Sequence, residues 1–181
     1  MEGVLVWIDL EMTGLDVDRH VILEIASIVT NRDLDIIEEG PDIAVFQPGE
    51  ILASMEQWSA AHHRESGLLD RVKASPHDLG AAEDLTLKFL KRHCSKGESP
   101  LCGNSVWQDR RFLCRFMPEL EGFLHYRVID VSSIKELVRR WYPGLLPFDK
   151  KKAHLAVSDI RESIEELRYY RKNVFIPAQR P

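Results

Sequence analysis

Asp9 and Glu11 stand two residues apart where the apolar run from Val4 to Ile8 ends. In an extended strand, residues i and i+2 share a face at a separation of about 6.6 Å. The two carboxylates therefore point the same way if the strand continues through Leu10, and like charges that close repel. Two readings are open. The strand stops at Ile8 and both acids are solvated, or a divalent cation holds them together, since hard cations such as Mg²⁺ and Mn²⁺ take carboxylate, phosphate and water oxygens.

Asp109 poses a related problem. In "GNSVWQDRRFLCRFM", helical spacing sets Val106, Asp109, Leu113 and Phe116 in one row, so an acid interrupts an apolar stripe. A buried carboxylate needs a base or a metal. Arg110 and Arg111 are adjacent, but neighbours on a helix point about 100° apart and do not meet easily. Asn104 and Ser105 are candidate caps for this helix, whose first amides would suit an anion. In "KKAHLAVSDIRESIEEL", His154 and Asp159 would diverge by about 140° on one continuous helix. They reach one site if His154 precedes the helix; otherwise His154 is a surface or capping residue. Asp9, Glu11, Asp109, Asp159 and His154 together make four carboxylates and a histidine, a set suited to two-metal phosphodiester hydrolysis.

The elements that must position these residues follow from periodicity. Residues 4 to 10 read as a strand, "VILEIASIVT" from Val21 as a second, and a third lies within Asp35 to Gln47 after the turn at "NRDL". Past the Pro48-Gly49 break, Leu79, Ala82, Leu85, Phe89 and Leu90 recur at helical spacing behind Asp78, a candidate N-cap. A strand near "PLCG", a helix within Ser105 to Met117, a strand at "RVID" and a helix opened by a Ser133–Glu136 capping box come next. Pro143 and Gly144 stop that helix. The stripe of Ile160, Ile164 and Leu167 marks a final helix. This order predicts an α/β fold with a mixed sheet, part antiparallel and part parallel, flanked by helices.

Composition bounds the function. With 181 residues and 44% hydrophobic content, the chain reads as a single domain over 1–181. No segment approaches about 18 consecutive apolar residues and no leader precedes the first strand, so a cytoplasmic protein with no membrane association is expected. A net charge of -5 argues against the broad basic surface that binds long nucleic acids, so any such substrate should be short. The clusters Arg110-Arg111, Arg139-Arg140 and Lys150 to Lys152 read as solvated faces. Cys94, Cys102 and Cys114 form neither a disulfide framework nor a zinc motif and are expected to be reduced and mostly buried.

The blocks "WIDLEMTGL", "GNSVWQDRRFL", "HYRVIDVSS" and "HLAVSDIRESIEELRYYR", in this order, resemble the oligoribonuclease branch of the DEDDh 3′ to 5′ exonucleases. The likeness runs from Trp7 to Arg171. It implies a ribonuclease H-like fold, two Mg²⁺ or Mn²⁺ ions held by Asp9, Glu11, Asp109 and Asp159, and His154 as general base. It further implies a preference for the shortest RNAs, dinucleotides above all. Carried onto matching positions, Leu15 wedges between the two bases and Trp58 lines the base pocket beside Met12. Ser105, His63, Arg127 and Ser132 cap the 5′ phosphate and Tyr126 stacks on a base, with Tyr126 and Arg127 supplied across a homodimer. The residues alone leave other roles open: Leu15 and Trp58 as core, His62 and His63 as a solvated pair, Ser132 and Ser133 as helix caps. A DNA-trimming exonuclease and a non-catalytic module binding short nucleotides are the alternative functions.

Overall fold

The computed structural model of the protein describes residues 3–149 and 156–176. In chain order its elements are β1 (Leu5–Met12), β2 (Ile22–Thr30), β3 (Ile36–Ala44), α1 (Gly49–Ala53), α2 (Gln57–Glu65), α3 (Leu68–Ala74), α4 (Leu79–Leu90), β4 (Pro100–Gly103), α5 (Trp107–Phe116), α6 (Pro118–Phe123), β5 (His125–Asp130), α7 (Val131–Trp141) and α8 (Ala156–Asn173). The sheet order is β3-β2-β1-β4-β5. β1, β2 and β3 form the expected antiparallel meander, and β4 and β5 join β1 as parallel neighbours.

β1 lies at the centre, and its two faces serve different cores. Val6, Ile8, Leu10 and Met12 pack with Leu90 of α4, Phe112 and Leu113 of α5 and Leu120 of α6. Trp7 faces the other way, toward Val138 of α7 and Ile160 and Ile164 of α8, and its indole N–H donates to Thr30 Oγ1 at 3.0 Å. Period-two alternation then puts Asp9 and Glu11 on the Trp7 side, where α8 begins. The strand does run past Leu10: Glu11 pairs with Glu24 of β2, and the register shifts between Glu11 and Met12. α8 is fixed on its outer side by Arg161–Glu39 and Arg171–Asp33 ion pairs, each 2.6 Å, to β3 and the preceding turn.

Several local expectations are corrected. α1, α2, α3 and α6 are too short to show a period in the sequence: α1 buries no residue, α2 only Ser59 and His63, α3 only Leu68 and Val72, and α6 only Leu120 and Phe123. α7 starts at Val131 with Asp130 as N-cap, its carboxylate accepting from the Ser132 amide at 2.9 Å. The Ser133–Glu136 box does not form, since Ser133 turns to Asp130 and Glu136 to Arg139 and Arg140. Neither Asn104 nor Ser105 caps α5: Val106 occupies the cap position with no side-chain bond, and Ser105 adopts a left-handed φ of 52°. Arg110 is not on a solvated face but bonds Glu121 and the carbonyls of His125 and Tyr126, joining α5 to α6 and β5. The three cysteines are free as expected, yet only Cys102 is buried and Cys114 is exposed. Lys150 to Lys152 lie outside the described residues.

Candidate active site

Asp9 and Glu11 from β1 meet Asp159, in the first turn of α8, with one oxygen of each within 4.8 Å of the others. Asp109, from the first turn of α5, is 93% buried beside them and its Oδ1 accepts from the Leu10 amide at 3.0 Å. Thus three elements far apart in sequence bring four acids to one end of β1. The pairing of Asp109 with Arg110 or Arg111 is not made; Arg110 binds Glu121, and Arg111 donates to Gln108 Oε1 at 3.2 Å. All four acids line a cleft of about 270 Å³.

The electrostatics of this cluster are unfavourable by themselves. Burial raises the Asp9 carboxyl far above its usual range, and the charges that add to the rise are Asp109, Glu11, Asp159 and Glu24, all acids. Glu11 is pushed up to about 8 by burial and then by Glu24, Asp159 and Asp109. Asp109 rises to about 7 through burial, opposed by the Leu10 amide that favours its charged form. Carboxylate oxygens gathered this closely fit hard divalent cations, which would take the place of the protons.

The cleft continues past Glu11 over a second hollow of about 290 Å³ lined by Gly14, Leu15, Glu56 and Trp58. Leu15 and Trp58 are 63% and 67% exposed, so neither is a core residue. His62 stacks on Trp58 with ring centroids 3.9 Å apart. His63 is instead buried, its Nε2 2.9 Å from the Met12 carbonyl and its Nδ1 3.9 Å from Glu11 Oε2, which corrects the solvated pair. Burial also lowers its pKa. The turn carrying Leu15 is fastened to α2 by His20, whose ring lies 3.1 Å from Thr13 Oγ1 and 3.2 Å from Glu56. A Cβ at Gly14 would stand 2.7 Å from that ring, so the turn closes this tightly only with glycine there.

At the other rim, the Ser105 and Ser132 hydroxyls are 3.1 Å apart. Ser132 donates to Asn104 Oδ1, and Asn104 Nδ2 donates to Ser163 Oγ of α8 at 2.7 Å. Ser132 touches Ser105 without lining the cleft. Tyr126 and Arg127 do not line it either; they stand on the edge strand β5, with Tyr126 72% exposed and the Arg127 guanidinium 5.2 Å from its ring centroid. His154 lies outside the described residues.

The exonuclease family model matches residues 6–167. An oligoribonuclease of Dichelobacter nodosus is 57% identical over 172 residues, covering 95% of both chains. That of Coxiella burnetii is 56% identical over 171 residues, covering 94% of this chain and 93% of its own. The chain belongs to the oligoribonuclease family of exonucleases. Among solved structures, E. coli exonuclease I in complex with a dA16 oligonucleotide matches with a TM-score of 0.74 at 12% identity. This likeness concerns the fold, which is the ribonuclease H-like one; it covers 96% of this chain and only 42% of the larger one.

Some site residues carried no usable signal in the sequence. Glu24 sits opposite Glu11 in the ladder and is countered by Arg71, which also binds Asp42. Gln108 lines the cleft and donates to the Leu15 carbonyl. Strand register and the approach of α5 to β1 create these partnerships, and neither is written in local spacing.

Proposed function

We propose that this protein is a metal-dependent 3′ to 5′ exoribonuclease that hydrolyses very short RNA, above all dinucleotides, to 5′-mononucleotides. The observation that carries the reading is the gathering of Asp9, Glu11 and Asp159 within 4.8 Å, beside buried Asp109, in a cleft that also presents Leu15 and Trp58. Asp9, Glu11, Asp109 and Asp159 would hold two divalent cations, Mg²⁺ or Mn²⁺. When bound, such cations activate water and offset charge on the leaving 3′ oxygen.

The chain's own groups do the rest. His154, neutral at its nitrogen, takes the proton of the attacking water. Asp109, held by the Leu10 amide, keeps the acid cluster in register with β1. Trp58 and Leu15 receive the bases, and His63, Ser105 and Ser132 bind the 5′ phosphate. Tyr126 and Arg127 complete that cap from the partner of a homodimer, which is consistent with their position outside their own cleft. A closed cap excludes a third nucleotide, and a chain of net charge -5 has few phosphates to neutralise. Residues 1–181 act as one exonuclease domain, in the cytoplasm; no helix among the described residues is long and apolar enough to cross a membrane.

The test is incubation of 5′-labelled di-, tri- and heptanucleotide RNA and DNA with Mg²⁺, alongside Asp109→Ala. Metal-dependent release of mononucleotide, fastest from diribonucleotide and lost in the variant, is expected. Binding without cleavage would mark a non-catalytic module, and preference for long DNA a trimming enzyme.

A further inference from the structure

The first turn of α5 grips one short stretch of chain at both ends. Asp109 accepts a hydrogen bond from the Leu10 amide at 3.0 Å, and Gln108, its neighbour, donates from Nε2 to the Leu15 carbonyl. Between these anchors lie Glu11, in the acid cluster, and Met12, whose carbonyl meets His63. The side chain of Leu15 stands 63% exposed at the far end, while Gln108 itself is 92% buried. The Gln108 amide is also oriented: Arg111 Nη1 donates to its Oε1 at 3.2 Å, which leaves Nε2 as the end that faces Leu15. Arg111 in turn packs 5.9 Å from the Trp107 ring centroid. Trp107, Arg111 and Gln108 therefore hold one donor in place on the helix that also carries Asp109.

We propose that Gln108 is a positioning residue that sets the distance between the acid cluster and Leu15, and so determines how strongly the enzyme favours two-nucleotide RNA over longer chains. The inference rests on Leu15 being the element that separates the two bases. On its other side the Leu15 turn is attached through His20 to Glu56 and α2, and further along it Arg115 of α5 pairs with Asp18, so loss of the Gln108 bond loosens the turn at Leu15 itself and leaves the rest of it attached. The acid cluster keeps its own anchor at Leu10. The effect should accordingly fall on the binding of dinucleotide and spare the chemical step.

Gln108→Leu removes the donor at similar volume, and Gln108→Glu keeps an acceptor for Arg111 while opposing the Leu15 carbonyl. Each should raise KM for a 5′-phosphorylated diribonucleotide about five- to tenfold, the factor one lost hydrogen bond accounts for. kcat at saturation should change less, and the preference over a heptaribonucleotide should narrow in step. The dissociation constant of the same dinucleotide, measured with Ca²⁺ in place of Mg²⁺ to suppress turnover, should rise by the same factor. Leu15→Ala tests the role of Leu15 separately from that of Gln108. If Leu15→Ala narrows the preference and the double variant Leu15→Ala/Gln108→Leu narrows it no further, the inference holds. Multiplying effects in the double variant, unchanged KM in both Gln108 variants, or a fall in kcat alone would overturn it. Leu15→Ala with unaltered preference would instead overturn the reading of Leu15, and this inference with it. The thermal midpoint of each variant shows that it is folded, and Gln108→Glu carries the test should Gln108→Leu fail to fold.

Discussion

The two ends of the cleft are built on opposite terms. At the acid end, Asp9, Glu11, Asp109 and Asp159 project from a central strand and two helix first turns; burial raises the pKa of Asp9, Glu11 and Asp109, and the neighbouring acids raise Asp9 and Glu11 further. At the other end, Leu15 and Trp58 stand more than half exposed on a turn and a short helix. Rigid elements hold charges in a geometry the protein alone disfavours, whereas the exposed end offers apolar surface with little of the fold depending on it. The acid end should therefore respond to cations and protons, and the exposed end to the substrate.

Substitutions can separate these behaviours. The largest effect is expected for Asp9→Asn, which should abolish turnover and remove the rise in thermal midpoint caused by Mg²⁺. In EDTA the same variant should be more stable than the parent, by about 2–4 °C for each kcal/mol of repulsion relieved. A melt in which Asp9→Asn is less stable without metal would contradict the picture of a self-repelling cluster. His154→Ala should lower kcat by about 10²–10⁴-fold while dinucleotide binding persists. Its pH profile should lose the fall in activity expected of the parent at low pH, where a histidine base becomes protonated.

At the exposed end, Trp58→Ala should raise the dinucleotide KM by about 5- to 150-fold, as expected for losing about 1–3 kcal/mol of base stacking. The thermal midpoint should barely move, since an exposed side chain supports little packing. A large loss of stability in Trp58→Ala would erase the contrast between the two ends. The smallest effect concerns pH and stability. Glu11 and Asp109, ordinarily ionised above about 4–4.5, hold their protons in the folded chain up to about 8 and 7. The folded state thus binds more protons than the unfolded one across that window, and metal-free stability falls as pH rises through it. Cations must displace these protons at low pH, so the Mg²⁺-induced shift in thermal midpoint should be larger at pH 8 than at pH 5.5. Calorimetry at the two pH values measures it.

Much of this arrangement could be read before the fold was seen. The alternation in "VLVWIDLEM" placed Asp9 and Glu11 on one face, and the break in the stripe of Val106, Leu113 and Phe116 marked Asp109 as a buried acid. Strand and helix periods report burial directly, so a charge on an apolar face stands out. The short helices between Pro48 and Pro76 left no such trace, because each buries too few apolar residues to set a period: α1 none, α2 none but Ser59 and His63, and α3 only Leu68 and Val72. Capping motifs misled at Ser133 and Ser105 for a related reason. A cap is chosen by where the neighbouring strand delivers the chain, and Asp130, at the end of β5, reaches both the Ser132 and the Ser105 amides.

The sequence by itself determined the chemistry: which residues are acids, that their surroundings are apolar, and through four ordered blocks the family to which they belong. Tertiary structure decided the partnerships. Only strand register sets Glu24 against Glu11, and only the packing of α5 on β1 brings Gln108 to Leu15, 93 residues away. Local periodicity encodes which face a side chain takes, but which group waits on that face depends on how distant elements pack, a condition satisfied across the whole fold at once.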